Sequence, residues 1–111
     1  MNIIHRVEKS VLVLSLKGNL TSEVDVNELK RAIQNHVSST TKRVVVDLKR
    51  VDHISGLAIS WLLGTRRLME KYEGKLHISN MNPSVQEILA KTNLMKFFKV
   101  YPTLNEALRP E

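Results

Sequence analysis

The sequence predicts an α/β domain, a mostly parallel central sheet that opens with an N-terminal hairpin and carries helices packed on it. Three observations lead there. Short strand-like runs recur at 3–7, 11–16, 44–48, 75–79 and 99–101, the central one opening on three valines. From the second run onward they are separated by stretches whose apolar residues return every three or four positions, the period of a helix lying on a surface. No internal repeat or linker divides the chain, and 111 residues suffice for one core but not for two. The element order is ββαβαβαβα, and strands alternating with helices need crossovers that make neighbouring strands parallel.

The first two runs flank Glu8-Lys9-Ser10 and carry no helical stripe, so they read as a β-hairpin. In the second, Leu12, Leu14 and Leu16 alternate with Val11, Val13 and Ser15, one face strongly apolar and the other mixed. Gly18-Asn19 reads as the end of that strand. Thr21 or Ser22 is placed to cap a first helix, with Glu23 and Asp25 in its first turn, where negative charge suits the helix dipole. Val26, Leu29, Ile33 and Val37 give it one buried stripe, and Ser38-Ser39-Thr40-Thr41 ends it as a polar loop. Val44, Val45, Val46, Asp47 and Leu48 read as a buried central strand. Lys49-Arg50-Val51-Asp52-His53-Ile54 reads as a short charged connection.

Ser55 is placed to cap the next helix, whose stripe is Ala58, Trp61, Leu62, Thr65, Leu68, Met69 and Tyr72, with Gly74 as a natural stop. After the strand 75–79, Asn82-Pro83 supplies a cap followed by proline in the first helical position, whose N–H needs no helical partner. Val85, Ile88 and Leu89 bury one face of this helix, and Thr92-Asn93 ends it. Leu94, Phe97 and Phe98 cluster before the last strand. Thr103 with Glu106 reads as a capping box for a terminal helix through Leu104, Ala107 and Leu108.

Composition narrows the function. An apolar fraction of 42% with 25% charged residues is that of an ordinary globular protein. No apolar run approaches the roughly 20 residues that span a bilayer, and Met1-Asn2-Ile3-Ile4-His5 lacks the basic region of a secretory leader. The expectation is a cytoplasmic chain with no membrane insertion. The absence of cysteine excludes disulfides and thiol chemistry. The formal charge of +6 comes from scattered pairs, Lys42-Arg43, Lys49-Arg50 and Arg66-Arg67. Such pairs read first as a solvated face and second as a site for an acidic surface, not as a nucleic-acid interface.

Catalytic groups do not converge. His5, His36, His53 and His77 fall in different elements and in no metal-ligand spacing, so no metal, cofactor or catalytic residue is expected. His5 and His77 read as ordinary sheet residues. His53 lies beside Asp52 and Ser55, but sequence neighbours on one connection cannot point at one another as a catalytic triad requires. Asp47 and Asp52 read as carboxylates at strand ends, not as an acid–base pair. The glycine patterns of nucleotide sites and serine hydrolases are missing, which leaves Ser55-Gly56 as the one candidate phosphate nest. That small Ser55-Gly56 pair at a helix start is where a partner or a phosphate can approach. Trp61 reads first as a core residue through its spacing with Ala58 and Leu62, and second as a surface anchor for a partner.

With these elements in this order, the chain resembles the STAS domain family, in particular the small bacterial anti-sigma factor antagonists, over nearly its whole length. Gly18-Asn19-Leu20 is similar to the glycine-containing end of the family's second strand, and the run from Val44 to Leu48 to its central strand. Leu63-Gly64 sits where many members have Leu-Gly. Asn82-Pro83-Ser84-Val85, Ile88-Leu89 and Thr92-Asn93-Leu94 resemble its block of Ser-Pro, apolar helix and Thr-Gly-Leu. The resemblance implies a single STAS-like domain over residues 1–111. It also implies a non-catalytic module in bacterial signalling whose partner is an anti-sigma factor or a serine-kinase-like regulatory protein. Docking is then expected through His53, Ile54, Ser55, Gly56, Leu57 and Ser60, with Asn19, Thr21 and Ser22 of the neighbouring loop beside them.

Members switched by phosphorylation carry Asp-Ser-Ser-Gly at this helix start. An ungapped match, anchored at Ile54 and at Leu63-Gly64, puts Ser55, Gly56, Leu57 and Ala58 there. The usual acceptor position is then Gly56, and Ser55 is the candidate for phosphorylation. A gapped match would pair Ser55-Gly56-Leu57 with Ser-Gly-Leu, but the deletion would move both anchors. Lone domains of this kind also bind the ATPase of membrane transport complexes, the alternative function. A monomer and a weak homodimer are both compatible with these residues.

Overall fold

Residues 1–38, 40–71 and 73–110 are described by the computed structural model of the chain, so Ser39 of the expected polar loop and Tyr72 of the expected helical stripe lie outside the described residues. The hairpin is present as β1 (Asn2–Glu8) and β2 (Val11–Leu20), paired antiparallel. Its turn places Lys9 and Ser10 at φ values of 53° and 64°. Two left-handed residues in a two-residue loop match the twist of the flanking strands, a role usually given to Asn-Gly. This pair does it without glycine.

The rest alternates as read: α1 (Glu23–His36), β3 (Arg43–Ile54), α2 (Gly56–Lys71), β4 (Lys75–Ser79), α3 (Pro83–Lys91), a single 3-10 turn at Met95–Phe97, β5 (Lys99–Tyr101) and α4 (Leu104–Ala107). The described strands form one sheet in the order β1-β2-β3-β4-β5, parallel everywhere except at the hairpin. When neighbours in sequence are neighbours in the sheet, crossovers of one hand drop their helices on one face. That face is the main core. Leu12, Leu14, Val44, Val46, Leu48 and Ile78 meet Val26, Leu29 and Ile33 of α1, Ala58 and Leu62 of α2, and Val85 and Leu89 of α3. On the opposite face Val11, Val13 and Val45 are covered by Ala107 and Leu108. Burial on both faces explains why Val11 to Leu14 and Val44 to Val46 are unbroken apolar runs.

Arg43 ties α4 to the sheet. Its guanidinium donates to the carbonyls of Arg109 (3.1 Å) and Ala107, and its Nε to His77 Nδ1 (3.3 Å). His77 is accordingly a buried sheet residue, its ring against Tyr101. His5 is exposed, its ring tilted 49° against that of His36 of α1 with centroids 4.2 Å apart.

Four expectations are corrected. β2 does not end at Gly18-Asn19 but runs on to Leu20, with register shifts after Ser15 and after Gly18, the glycine at φ 110°. Residues 49–54 are not a connection but the second half of β3, pairing with that extension through Lys17↔Arg50, Gly18↔Val51, Asn19↔His53 and Leu20↔Ile54. β4 reaches only the level of Asp47, so this upper half is anchored by Val51 and Ile54 while its other side chains remain in water. In α2 the buried positions are Ala58, Ile59, Leu62 and Met69; Leu68 is 55% exposed and Thr65 half-buried. The α2 stop also works differently. Glu73, not Gly74, takes the left-handed conformation, and a Cβ on residue 74 would lie 2.7 Å from the Lys42 carbonyl.

Candidate functional site

The upper ends of β2 and β3 bring two helix starts together. Leu20 at the end of β2 accepts a hydrogen bond from the Ser55 N–H at 3.0 Å, which places the loop before α1 against the entry to α2. The sequence alone separates these segments by some 35 positions, and the paired strand extensions close that distance.

α2 starts because Ser55 caps it. Its Oγ accepts from the Ala58 N–H at 3.2 Å, and its carbonyl from the Ile59 N–H at 3.0 Å. The N–H groups of Gly56 and Leu57 have no partner within the helix, as in any first turn, and no acidic residue stands in that turn. Gly56 is exposed, and a Cβ built on it meets nothing within 4 Å. Leu57 is 52% exposed, a large apolar side chain at the rim of a polar corner. Asn19, Thr21, Ser22, His53 and Ser60 are also exposed, and Ser55 is half-buried.

Ile54 departs from the expectation. It is 2% exposed and belongs to the core, because the strand continues through it and the register shift with β2 brings it to the same core as Val51. Asp52 and His53 beside it are both exposed. Asp47 accepts from the Lys49 N–H at 3.1 Å. Among the described residues no group of three or more His, Cys, Asp or Glu is placed to hold a metal ion.

The neighbouring helix start is rigid. Ser22, not Thr21, is the cap of α1, in a full capping box: its Oγ accepts from the Asp25 N–H, and Asp25 Oδ2 from the Ser22 N–H, both at 3.2 Å. Thr21 donates its N–H to the same carboxylate at 3.4 Å. Partial burial pulls the Asp25 pKa up, but the hydrogen bonds from Ser22 and Thr21 and the Met1 ammonium 3.7 Å away hold it below 3.8. On the other side Asn82 braces the corner. Its Oδ1 caps α3 through the Val85 N–H at 3.0 Å, and its Nδ2 donates to the Val51 carbonyl of β3. The sequence reveals the cap; no local signal reveals a bond to a strand 31 residues away.

The result is an apolar-rimmed corner with a few hydroxyls, free helix N–H groups and no convergent titratable groups. It can lie flat against another protein or accept an anion.

The family model described as STAS domain matches residues 2–107. An anti-sigma F factor antagonist of Paenibacillus polymyxa is 25% identical over 103 residues, spanning 90% of this chain and 86% of that protein. Among solved structures, an anti-sigma factor antagonist from Mycobacterium paratuberculosis superposes with a TM-score of 0.82 at 26% identity, over 96% of this chain and 90% of that one. A sulfate transporter family protein from Wolinella succinogenes shares the fold, with a TM-score of 0.77 at 19% identity over 93% of this chain and 85% of that one.

Proposed function

Because the chain belongs to the STAS domain family, we propose that it is a non-catalytic interaction module of bacterial signalling. It works in the cytoplasm and docks the start of α2 against an anti-sigma factor or a serine-kinase-like regulatory protein. The observation that carries this reading is the exposed Gly56–Leu57 step at the head of α2, flanked by the Asn19–Thr21–Ser22 loop. An apolar side chain beside open backbone on a rigid base is what a flat partner surface can cover without desolvating charge. The likeness to anti-sigma factor antagonists in Paenibacillus and Mycobacterium supports the partner class.

Ser55 is the switch in this proposal. A phosphate on its Oγ would add about −1.5 to −2 charges at the rim of the contact. The N-terminus of α2 tolerates that charge, but a partner that docks on a neutral corner must desolvate it. Ser55→Asp is the clean probe, because aspartate caps a helix about as well as serine and the substitution adds charge without removing the cap. We expect affinity for the cognate anti-sigma factor to fall at least tenfold in titration calorimetry. Unchanged affinity removes this corner from the interface. Incubation with the cognate kinase should place phosphate on Ser55 by mass spectrometry; phosphate on another residue, or none, would make the chain a constitutive binder.

A second reading rests on the ungapped match, in which Gly56 falls at the position where switched relatives carry the acceptor serine. A module without that switch suits an accessory subunit on the ATPase of a membrane transport complex. Co-purification of a transporter ATPase in place of an anti-sigma factor would select it.

A further inference from the structure

On the outer surface α1 and α2 do not close against each other along their C-terminal halves. Two hollows of about 510 and 230 Å³ lie between them, and Ile33, Gln34, Thr65 and Leu68 line both, so they form one groove. Its floor is apolar, and the exposed Leu68 and half-buried Trp61, the one tryptophan of the chain, stand along it. Gly64 leaves a notch there, because a Cβ on it meets nothing within 4 Å. The groove follows positions 30, 33, 34 and 37 of one wall and 61, 64, 65 and 68 of the other, about two helical turns of each.

Its charged lining has one sign. Lys30 and Lys42 line it, and none of its described lining residues is a carboxylate. Lys42 has Glu73 at 4.0 Å, but that side chain is 89% exposed and holds the ammonium weakly. Further out on the same helices Arg31, Arg67 and Lys71 are exposed, while Glu70 is engaged by Arg66 at 3.4 Å. We propose that this groove receives an amphipathic helix of a partner protein, its apolar stripe on Trp61 and Leu68 and its acidic flanks on Lys30 and Lys42. A helix lying between two helices presents residues at i, i+3, i+4 and i+7, which is the spacing of both walls. A second copy of this chain fits poorly, since its own groove rim would bring lysine against lysine. None of its described lining residues belongs to the α2 start.

The probe is a synthetic helical peptide of about four turns, leucine at i, i+3, i+4 and i+7 and glutamate on both flanks, titrated into the full chain. A version with lysine flanks is the control, and Trp61 emission and peptide anisotropy are the readouts. We expect saturable binding with a blue shift of Trp61, at least tenfold weaker for the lysine version. Gly64→Gln, which fills the notch, and the double change Lys30→Glu with Lys42→Glu should each weaken it at least tenfold. Gly64→Gln keeps the fold, checked by circular dichroism, because the new side chain points into open space. Ser55→Asp should leave peptide binding unchanged, so this test fails or succeeds independently of the docking corner. Equal binding of the two peptides, indifference to Gly64→Gln, or a dimer in sedimentation that Gly64→Gln dissolves would overturn the proposal.

Discussion

At the scale of single residues, two glycines near the same helix should answer in opposite directions. Gly74 sits against the Lys42 carbonyl, where a methyl group would be 2.7 Å away, and the hydrogen bond from the Lys75 N–H to that carbonyl at 3.0 Å holds the approach. Gly74→Ala should destabilise the fold by about 1–3 kcal/mol, the usual cost of overpacking. Gly64 is in mid-helix with open space around its Cβ position, and Gly64→Ala should stabilise by about 0.5–1 kcal/mol. Urea titrations of the two variants check the pair. Asp25 gives a pH signature. Its folded pKa is lowered, so its contribution is complete above the ordinary carboxylate value and is lost as pH falls through the folded value. Asp25→Asn should flatten the stability–pH curve below pH 3.8 and lower stability at neutral pH.

At the scale of elements, Asn82 and Arg43 each join two pieces. Asn82→Ala removes both the cap of α3 and the donor to Val51, and should cost about 1–2 kcal/mol. Asn82→Asp keeps the capping oxygen but loses the donor, so it should fall between Ala and the parent in the same urea titration. The first helix and the second strand were legible, because the Val26-Leu29-Ile33 stripe and the apolar run of Val11 to Leu14 need no tertiary knowledge. The upper half of β3 was not. Its anchors Val51 and Ile54 are three apart, not two, where the register with β2 shifts, and its other residues are polar because β4 no longer covers them. The hairpin was legible but its turn chemistry was not, since Lys9-Ser10 carries no signal for two left-handed residues. The candidate corner followed from Ser55-Gly56 and the family resemblance. That Ile54 turns inward and Leu57 outward depended on the strand continuing.

At the scale of the whole molecule, the sheet has unequal covers. Three helices lie on one face and a single four-residue helix on the other. α4 is too short to be stable alone and depends on Ala107, Leu108 and the Arg43 bonds to its last carbonyls. Arg43→Met should therefore speed hydrogen exchange at 104–109 while leaving β2 and β3 protected, which exchange mass spectrometry can resolve. The strand order has a consequence for biosynthesis. Each ribbon joins beside the one translated just before it, so the nascent polypeptide can zip its sheet in the order of emergence. Yet the reverse side of the earliest parallel pair, Val11, Val13 and Val45, waits for α4, which is translated after all five strands of the sheet. A ribosome stalled just short of α4 would hold an assembled sheet with a sticky back.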